Sequence, residues 1–228
     1  LMLDQLDRLS LPPGVRAVRG ALVDEVRGVR YPTNATADAL LERVGEPLEA
    51  TAARIAARWR LVPTDARRDV LRFAWQLNGF ALANVRPGRS GPRRLCLWIA
   101  LALRLLPIAR FPEPVVRRRA LDTSTCVRAV VTSVSAVGGR AAAIACATAF
   151  ALILVGLLAG GAPVGVALAV GAATGCALLV HEVGHVLALQ GVPAAVLLVG
   201  ARTSVLHPPL DGRRARAVSL AGPALTAI

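Results

Sequence analysis

Two histidines and a glutamate lie within five residues of one another in His181–Glu182–Val183–Gly184–His185. On a helix, residues four apart share a face, so both imidazoles can reach one ion. Neutral imidazole is a good zinc ligand, at about 2.0–2.1 Å. Glu182 then stands beside the metal as the general base that takes a proton from the attacking water. The chemistry this spacing points to is zinc-assisted peptide hydrolysis, with His181 and His185 as ligands and Glu182 as the catalytic base. Such sites use three protein ligands and keep a fourth position open. The other histidine, His207, and the one downstream acid, Asp211, follow in a Pro- and Arg-rich stretch. Each reads as a ligand or as a plain loop residue, and Pro208–Pro209–Leu210–Asp211–Gly212 favours a turn aspartate. The third ligand is expected past Ile228, where the chain stops inside an apolar run.

The elements that must position this cluster are hydrophobic helices. From Ala141 to Val180 there is no charged residue over 40 positions. One membrane span needs about 20. Gly160–Gly161–Ala162–Pro163 is a turn signal between two apolar runs, which predicts spans at about Ala141–Leu158 and Val164–Leu189. A third run begins near Ala217. The motif therefore falls inside the second span, where ionisable groups cost about 2.5–3.5 kcal/mol each on insertion scales. A bound cation is the simplest partner that offsets that cost. The alternative is a buried core helix, but a small soluble domain could hardly cover two such segments. Arg117, Arg118, Arg119, Arg128 and Arg140 precede the first span, Arg202, Arg213, Arg214 and Arg216 follow the second, and the turn between is uncharged. Basic flanks stay in the cytoplasm. A multi-pass cell-membrane protein with a cytoplasmic N-terminal domain is expected. Leu95–Pro107, interrupted by Arg104, predicts a helix lying in the membrane interface.

The 228 residues carry 27 basic side chains, all Arg, against 14 acids, a net of +13. At 55% hydrophobic the chain is too apolar to be disordered, and four scattered Cys make no disulfide framework. Only 4% is aromatic, which with abundant Ala, Val and Leu favours helices and membrane over a β-sandwich. Charge is concentrated early: residues 1–94 hold 16 Arg and 10 acids, residues 141–228 only 4 and 2. This divides the chain into a soluble domain (1–90), a basic linker with the interfacial helix (91–140) and a membrane core (141–228).

The soluble part reads as α+β. Val15–Val18, Ala21–Val26 and Val29–Tyr31 are short strand-like runs separated by Arg19–Gly20 and Arg27–Gly28. Thr33 or Asn34 caps a helix running to about Val44, and Gly45 ends it. Pro47 opens a second helix with Leu48, Ala52, Ile55 and Trp59 on one face. Pro63–Thr64 begins a third, which stops near Asn78–Gly79, and Phe80–Val85 reads as a closing strand. Three strands followed by three helices is a winged-helix plan. The expected fold is thus a winged-helix-like α+β domain followed by an all-α transmembrane domain. Winged helices often bind DNA, but the Arg are scattered rather than gathered on the third helix, so nucleic acid is not the expected partner.

Two family resemblances follow. A His-Glu-x-Gly-His sequence inside a span, followed by Ser219–Leu220–Ala221–Gly222–Pro223–Ala224, resembles the site-2 protease family of intramembrane zinc metalloproteases. It covers about residues 141–228 and implies a helix opening with Ala-Gly-Pro and a third ligand, an Asp, in a later motif that this chain does not reach. The order Leu22–Val23–Asp24, Asn34–Ala35–Thr36–Ala37, Leu40–Leu41, Ile55–Ala56, Val70–Leu71 and Leu77–Asn78–Gly79–Phe80–Ala81 resembles the PqqD-like domain, or RiPP recognition element. Trp75 and Phe80 stand where its closing pattern has Leu. That family binds leader peptides by strand addition and side-chain pockets. The resemblance implies an edge at Val29, Arg30 and Tyr31, with Arg68 and Arg72 meeting acidic leader side chains or simply solvated. The segment around Leu103–Pro107 and Phe111–Pro112 resembles the join between these modules in peptide zinc metalloproteases.

The expectation is a membrane-embedded zinc metalloendopeptidase that hydrolyses a peptide or precursor recruited by the PqqD-like domain. Three alternatives stand beside it: a catalytically silent peptide-binding or export subunit for a ribosomally made, modified peptide; a membrane-tethered DNA-binding regulator; and a site-2 protease cutting a membrane-bound transcription regulator.

Overall fold

Asn34, the residue before Ala35, sets the first helix: its side chain accepts from the Ala37 N–H at 2.8 Å and satisfies a donor that has no intrahelical partner. The computed structural model describes residues 3, 6–86, 88, 116–159, 161, 163–199 and 202–227. In chain order its elements are β1 (Arg8–Ser10), β2 (Val15–Val18), β3 (Ala21–Asp24), β4 (Val29–Pro32), α1 (Ala35–Leu41), α2 (Leu48–Trp59), α3 (Pro63–Gly79), β5 (Asn84–Arg86), β6 (Val116–Leu121), α4 (Cys126–Leu158), α5 (Val164–Ala188), β7 (Ala194–Val199), β8 (Arg202–Leu206) and α6 (Gly212–Thr226). A small N-terminal sheet region is followed by a mostly helical part. The chain divides into two units, Leu1–Ala120 with Leu197–Leu206, and Leu121–Val196 with His207–Ile228.

In the first unit, β2, β3 and β4 form an antiparallel meander, with Val15 opposite Asp24 and Asp24 opposite Val29. Gly20 and Gly28 take the left-handed φ that the two hairpin turns demand (+75° and +68°). α2 and α3 turn Leu48, Ala52, Ile55, Val70, Ala74 and Leu77 onto the same core as Leu22 and Leu40. Burying each large aliphatic side chain there stabilises the fold by about 1.5–3 kcal/mol. The closing strand is shorter and later than Phe80–Val85. Ala81 adopts φ +58°, and Leu82 and Ala83 donate back to the Leu77 carbonyl, so the chain curls under α3 before straightening at Asn84. β5 then pairs with β1, Leu9 opposite Val85. β1 has no signal in the sequence, because three residues are too few to show alternation.

The same unit holds β6, and two asparagines fix it. Asn78 Nδ2 donates to the Val116 carbonyl (2.7 Å) while its Oδ1 accepts from the Val116 N–H (2.9 Å). Asn84 does the same for Arg118, at 2.9 and 2.8 Å. From β6 the Arg118 guanidinium reaches Asp24 with two contacts of 2.7 Å, and both side chains are fully buried. Burial pushes the Asp24 carboxyl up, but the Arg118 hydrogen bonds, the Arg27 backbone N–H and both positive charges outweigh it and hold it below the usual carboxylate range.

In the second unit α4 starts at Cys126, capped by Thr125, and includes all of Ala141–Leu158. α5 starts at Val164, so the two ends fall on either side of the Gly160–Pro163 signal. Both helices are long and apolar enough to cross a membrane. They approach closely because one face of each is small. A Cβ on Gly171 would lie 2.8 Å from the Ala149 Cβ, and one on Gly175 would lie 2.8 Å from the Ala145 Cβ.

The C-terminal part is not all helix. β6, β7 and β8 form a three-stranded sheet in that order. β7 lies beyond the expected end of the second span: Ala194–Val199 is a short apolar run bounded by Pro193 and Gly200, the pattern of a strand covered on both faces. Arg117 to Arg119, expected to be basic flank, belong to β6, and the alternation of the strand turns Arg118 inward while Arg117 and Arg119 stay exposed. The interfacial helix expected at Leu95–Pro107 and the joining segment around Leu103–Pro112 lie outside the described residues.

Candidate metal and peptide sites

His181, Glu182 and His185 occupy the last two turns of α5. The Nε2 atoms of the two histidines are 3.1 Å apart, and the rings are nearly perpendicular, at 83°. Two nitrogens bound to one tetrahedral zinc at about 2.0–2.1 Å would be separated by about 3.3 Å. The 3.1 Å separation is close to that value and is also a hydrogen-bond distance between the two rings. His185 Nδ1 lies 2.5 Å from the Val218 carbonyl. A carbonyl only accepts, so Nδ1 donates this bond and Nε2 is the ring nitrogen that faces His181. Such a bond from the far nitrogen to a backbone oxygen is what orients metal-binding imidazoles. Glu182 is buried, at 7% exposure, while both histidines are half-buried.

α6 supplies that carbonyl and packs against the motif through two glycines. A Cβ on Gly184 would fall 2.6 Å from the Ala221 oxygen, and a Cβ on Gly222 would overlap the His185 ring. Gly184 is the fourth residue of the motif, and Gly222 is the glycine of Ala221–Gly222–Pro223. Val218 is thus a residue of this cluster that the sequence alone did not single out, and Gly222, quoted there as part of Ala221–Gly222–Pro223, gains a contact with His185. The Ala-Gly-Pro tripeptide lies within α6 and does not open it. The helix starts at Gly212, with Asp211 as its cap, accepting from the Arg214 N–H at 2.8 Å. Asp211 is therefore a capping residue. His207 Nδ1 faces the Pro208 carbonyl at 2.8 Å. Among the described residues no group of three His, Cys, Asp or Glu side chains is gathered for a metal.

The residues expected to hold a peptide lie in the first unit. β4 is one of the two outer strands of its sheet, β2 being the other. Thr33 N–H donates to the Gly20 carbonyl (3.0 Å), and the register sets Leu22 opposite Tyr31. Alternation along an antiparallel pair then turns the N–H and C=O of Val29 and Tyr31 inward and those of Arg30 outward. Pro32 has no N–H to offer, so Arg30 supplies the outward donor of this edge. Beside it is a cleft of about 260 Å³ lined by Pro32, Thr33, Leu40, Ile55, Asp69 and Phe73, among others. Arg68 and Arg72 are not part of the lining. Arg68 is exposed and pairs with Asp65 at 2.8 Å, and Arg72 is exposed on the same helix. The carboxylate at the cleft, Asp69, was not anticipated, because one acid among four Arg or Asp neighbours on an exposed helix face carries no distinguishing signal.

No family model, no curated protein and no solved structure matches this chain.

Proposed function

We propose that the protein is a membrane-embedded zinc metalloendopeptidase of the site-2 protease type, which cuts a peptide or precursor recruited by its N-terminal unit. The observation that carries this reading is the pair of Nε2 atoms at 3.1 Å, one of them oriented by the Val218 carbonyl, in the helix that also buries Glu182. His181 and His185 would hold the zinc. The chemistry supplied by zinc in such a site is Lewis acidity toward the scissile carbonyl and the attacking water. Glu182 takes the proton of that water and returns it to the leaving amine.

The membrane setting is supported by α4 and α5, whose apolar side chains stay largely exposed: Phe150 is 68% and Leu158 is 81% exposed. Lipid suits such faces better than water does. α4, with 33 residues, is about 50 Å long, against a hydrocarbon core of about 30 Å. Its first turns, bearing Arg128 and Arg140, would project on the cytoplasmic side, as the tendency of basic flanks to stay in the cytoplasm favours. The order β2-β3-β4-α1-α2-α3 suits a winged-helix, PqqD-like module, and the open Arg30 edge with its neighbouring cleft suits peptide capture by strand addition.

The test is Glu182→Gln in the complete gene product. The variant should bind zinc in the same stoichiometry as the wild type and show no cleavage of a precursor that the wild type processes. Equal cleavage by both removes Glu182 from the mechanism. Zinc-free wild-type protein that gains no peptidase activity on adding zinc overturns the proposal.

A further inference from the structure

Leu40, Ile55 and Val70 form a buried apolar floor to the cleft beside β4, and Phe73 flanks it. The polar groups on its rim are largely spoken for. The Thr33 hydroxyl bonds Asp38, and the Asn34 side chain caps α1. Asp69 is the one ionisable residue in the lining. On the same helix Arg67 pairs with Glu49 and Arg68 with Asp65, whereas no cation pairs with Asp69 among the described residues. At about 260 Å³ the cleft lies below the roughly 300–1,000 Å³ typical of small-molecule pockets, so it suits individual side chains.

We infer that this cleft takes an extended peptide segment bearing a basic side chain close to an apolar one, with Asp69 as the residue that selects the positive charge. The inference rests on the peptide-recruiting reading above and specifies its ligand. An Arg or Lys stem lies along apolar surface while its head reaches a carboxylate. The apolar neighbour fills the floor over Ile55. Arg30 N–H and C=O give the peptide backbone two bonds, and pairing ends at Pro32, where the cleft begins. An acidic side chain in the same place meets a like charge, which discriminates against it. The overall charge of +13 pulls the other way, toward acidic ligands. That attraction is long-ranged and is screened by salt, whereas a contact at Asp69 is much less so.

The experiment uses the full chain in detergent micelles and an arrayed library of labelled dodecapeptides with basic and acidic residues equally represented. It is run at about 0.3 M salt, where the Debye length is below about 8 Å. Wild type should enrich peptides with Arg or Lys within a few positions of Leu, Ile or Val. Asp69→Asn should weaken the best of these by roughly tenfold or more, and Asp69→Arg should switch the enrichment to Asp and Glu. Wild-type binding that prefers acidic peptides, or a basic preference that survives Asp69→Arg unchanged, overturns the inference while leaving peptide recruitment standing. Absence of any peptide binding above the micelle background overturns both.

Discussion

His185 and Val218, 33 residues apart, are joined through the imidazole Nδ1–H and the peptide carbonyl at 2.5 Å. The helix that provides the carbonyl also places Gly222 against the same ring. One helix thus meets the His185 ring on two sides, and it does so with backbone and the absence of a side chain.

Gly222→Ala is the direct probe of that arrangement. The added methyl overlaps the His185 ring, so ring or helix must move. Loss of an orienting contact typically lowers metal affinity by about 10–100-fold. Zinc competition against a chelator should show a loss of that order. Unchanged affinity would mean that the α5–α6 packing does not hold the imidazole.

Gly175→Leu tests the packing of the two long helices. Its side chain would enter the space held by the Ala145 Cβ and the Ala141 carbonyl. Overpacking of this kind costs about 1–3 kcal/mol. Thermal unfolding in detergent should show a lower midpoint than for Leu168→Ala, at a site exposed on the same helix.

Asp24 and Arg118 should make the first unit acid-sensitive. The carboxyl is held below its ordinary value in the folded chain, so its contribution is complete above the unfolded value near 4 and is lost as pH falls through the folded value. Denaturant unfolding of the wild type should weaken as pH drops below about 4. Asp24→Asn should flatten that dependence by its share. At neutral pH, Arg118→Ala should cost about 3–5 kcal/mol, because it leaves a buried carboxylate unpaired. The double change Asp24→Leu with Arg118→Met should recover part of that loss.

Asn78→Ala should free the backbone of β6 at a defined point. Each buried partner left unsatisfied costs about 1–3 kcal/mol. Hydrogen exchange should speed up at the Val116 amide, and Asn84→Ala should do the same for the Arg118 amide. Protection that persists in both variants would show that the rest of the sheet holds the strand.

Local signals carried most of the fold. Gly20, Gly28, Asn34, Pro47 and Pro63 mark turns and helix starts because each acts through its own backbone or its nearest neighbours. The approach of His181 to His185 was legible for the same reason: they need only helical spacing to meet. The parts that escaped notice are set by distant partners. Arg118 looks like one of three flanking arginines until Asp24, 94 positions earlier, is brought to it. The β7 residues carried no assignment because an apolar run with no alternation does not distinguish strand from helix. Gly222 gains its meaning only when α6 is laid against His185.

The asparagine clamps on β6 carry a topological consequence. The polypeptide leaves β5 at Arg86 and is back beside Asn84 at Arg118, roughly thirty residues later. Both stretches are secured to the same body by Asn78, Asn84 and the Asp24–Arg118 pair. A single cut between those points would sever the chain and still leave its two pieces travelling together through a non-denaturing purification.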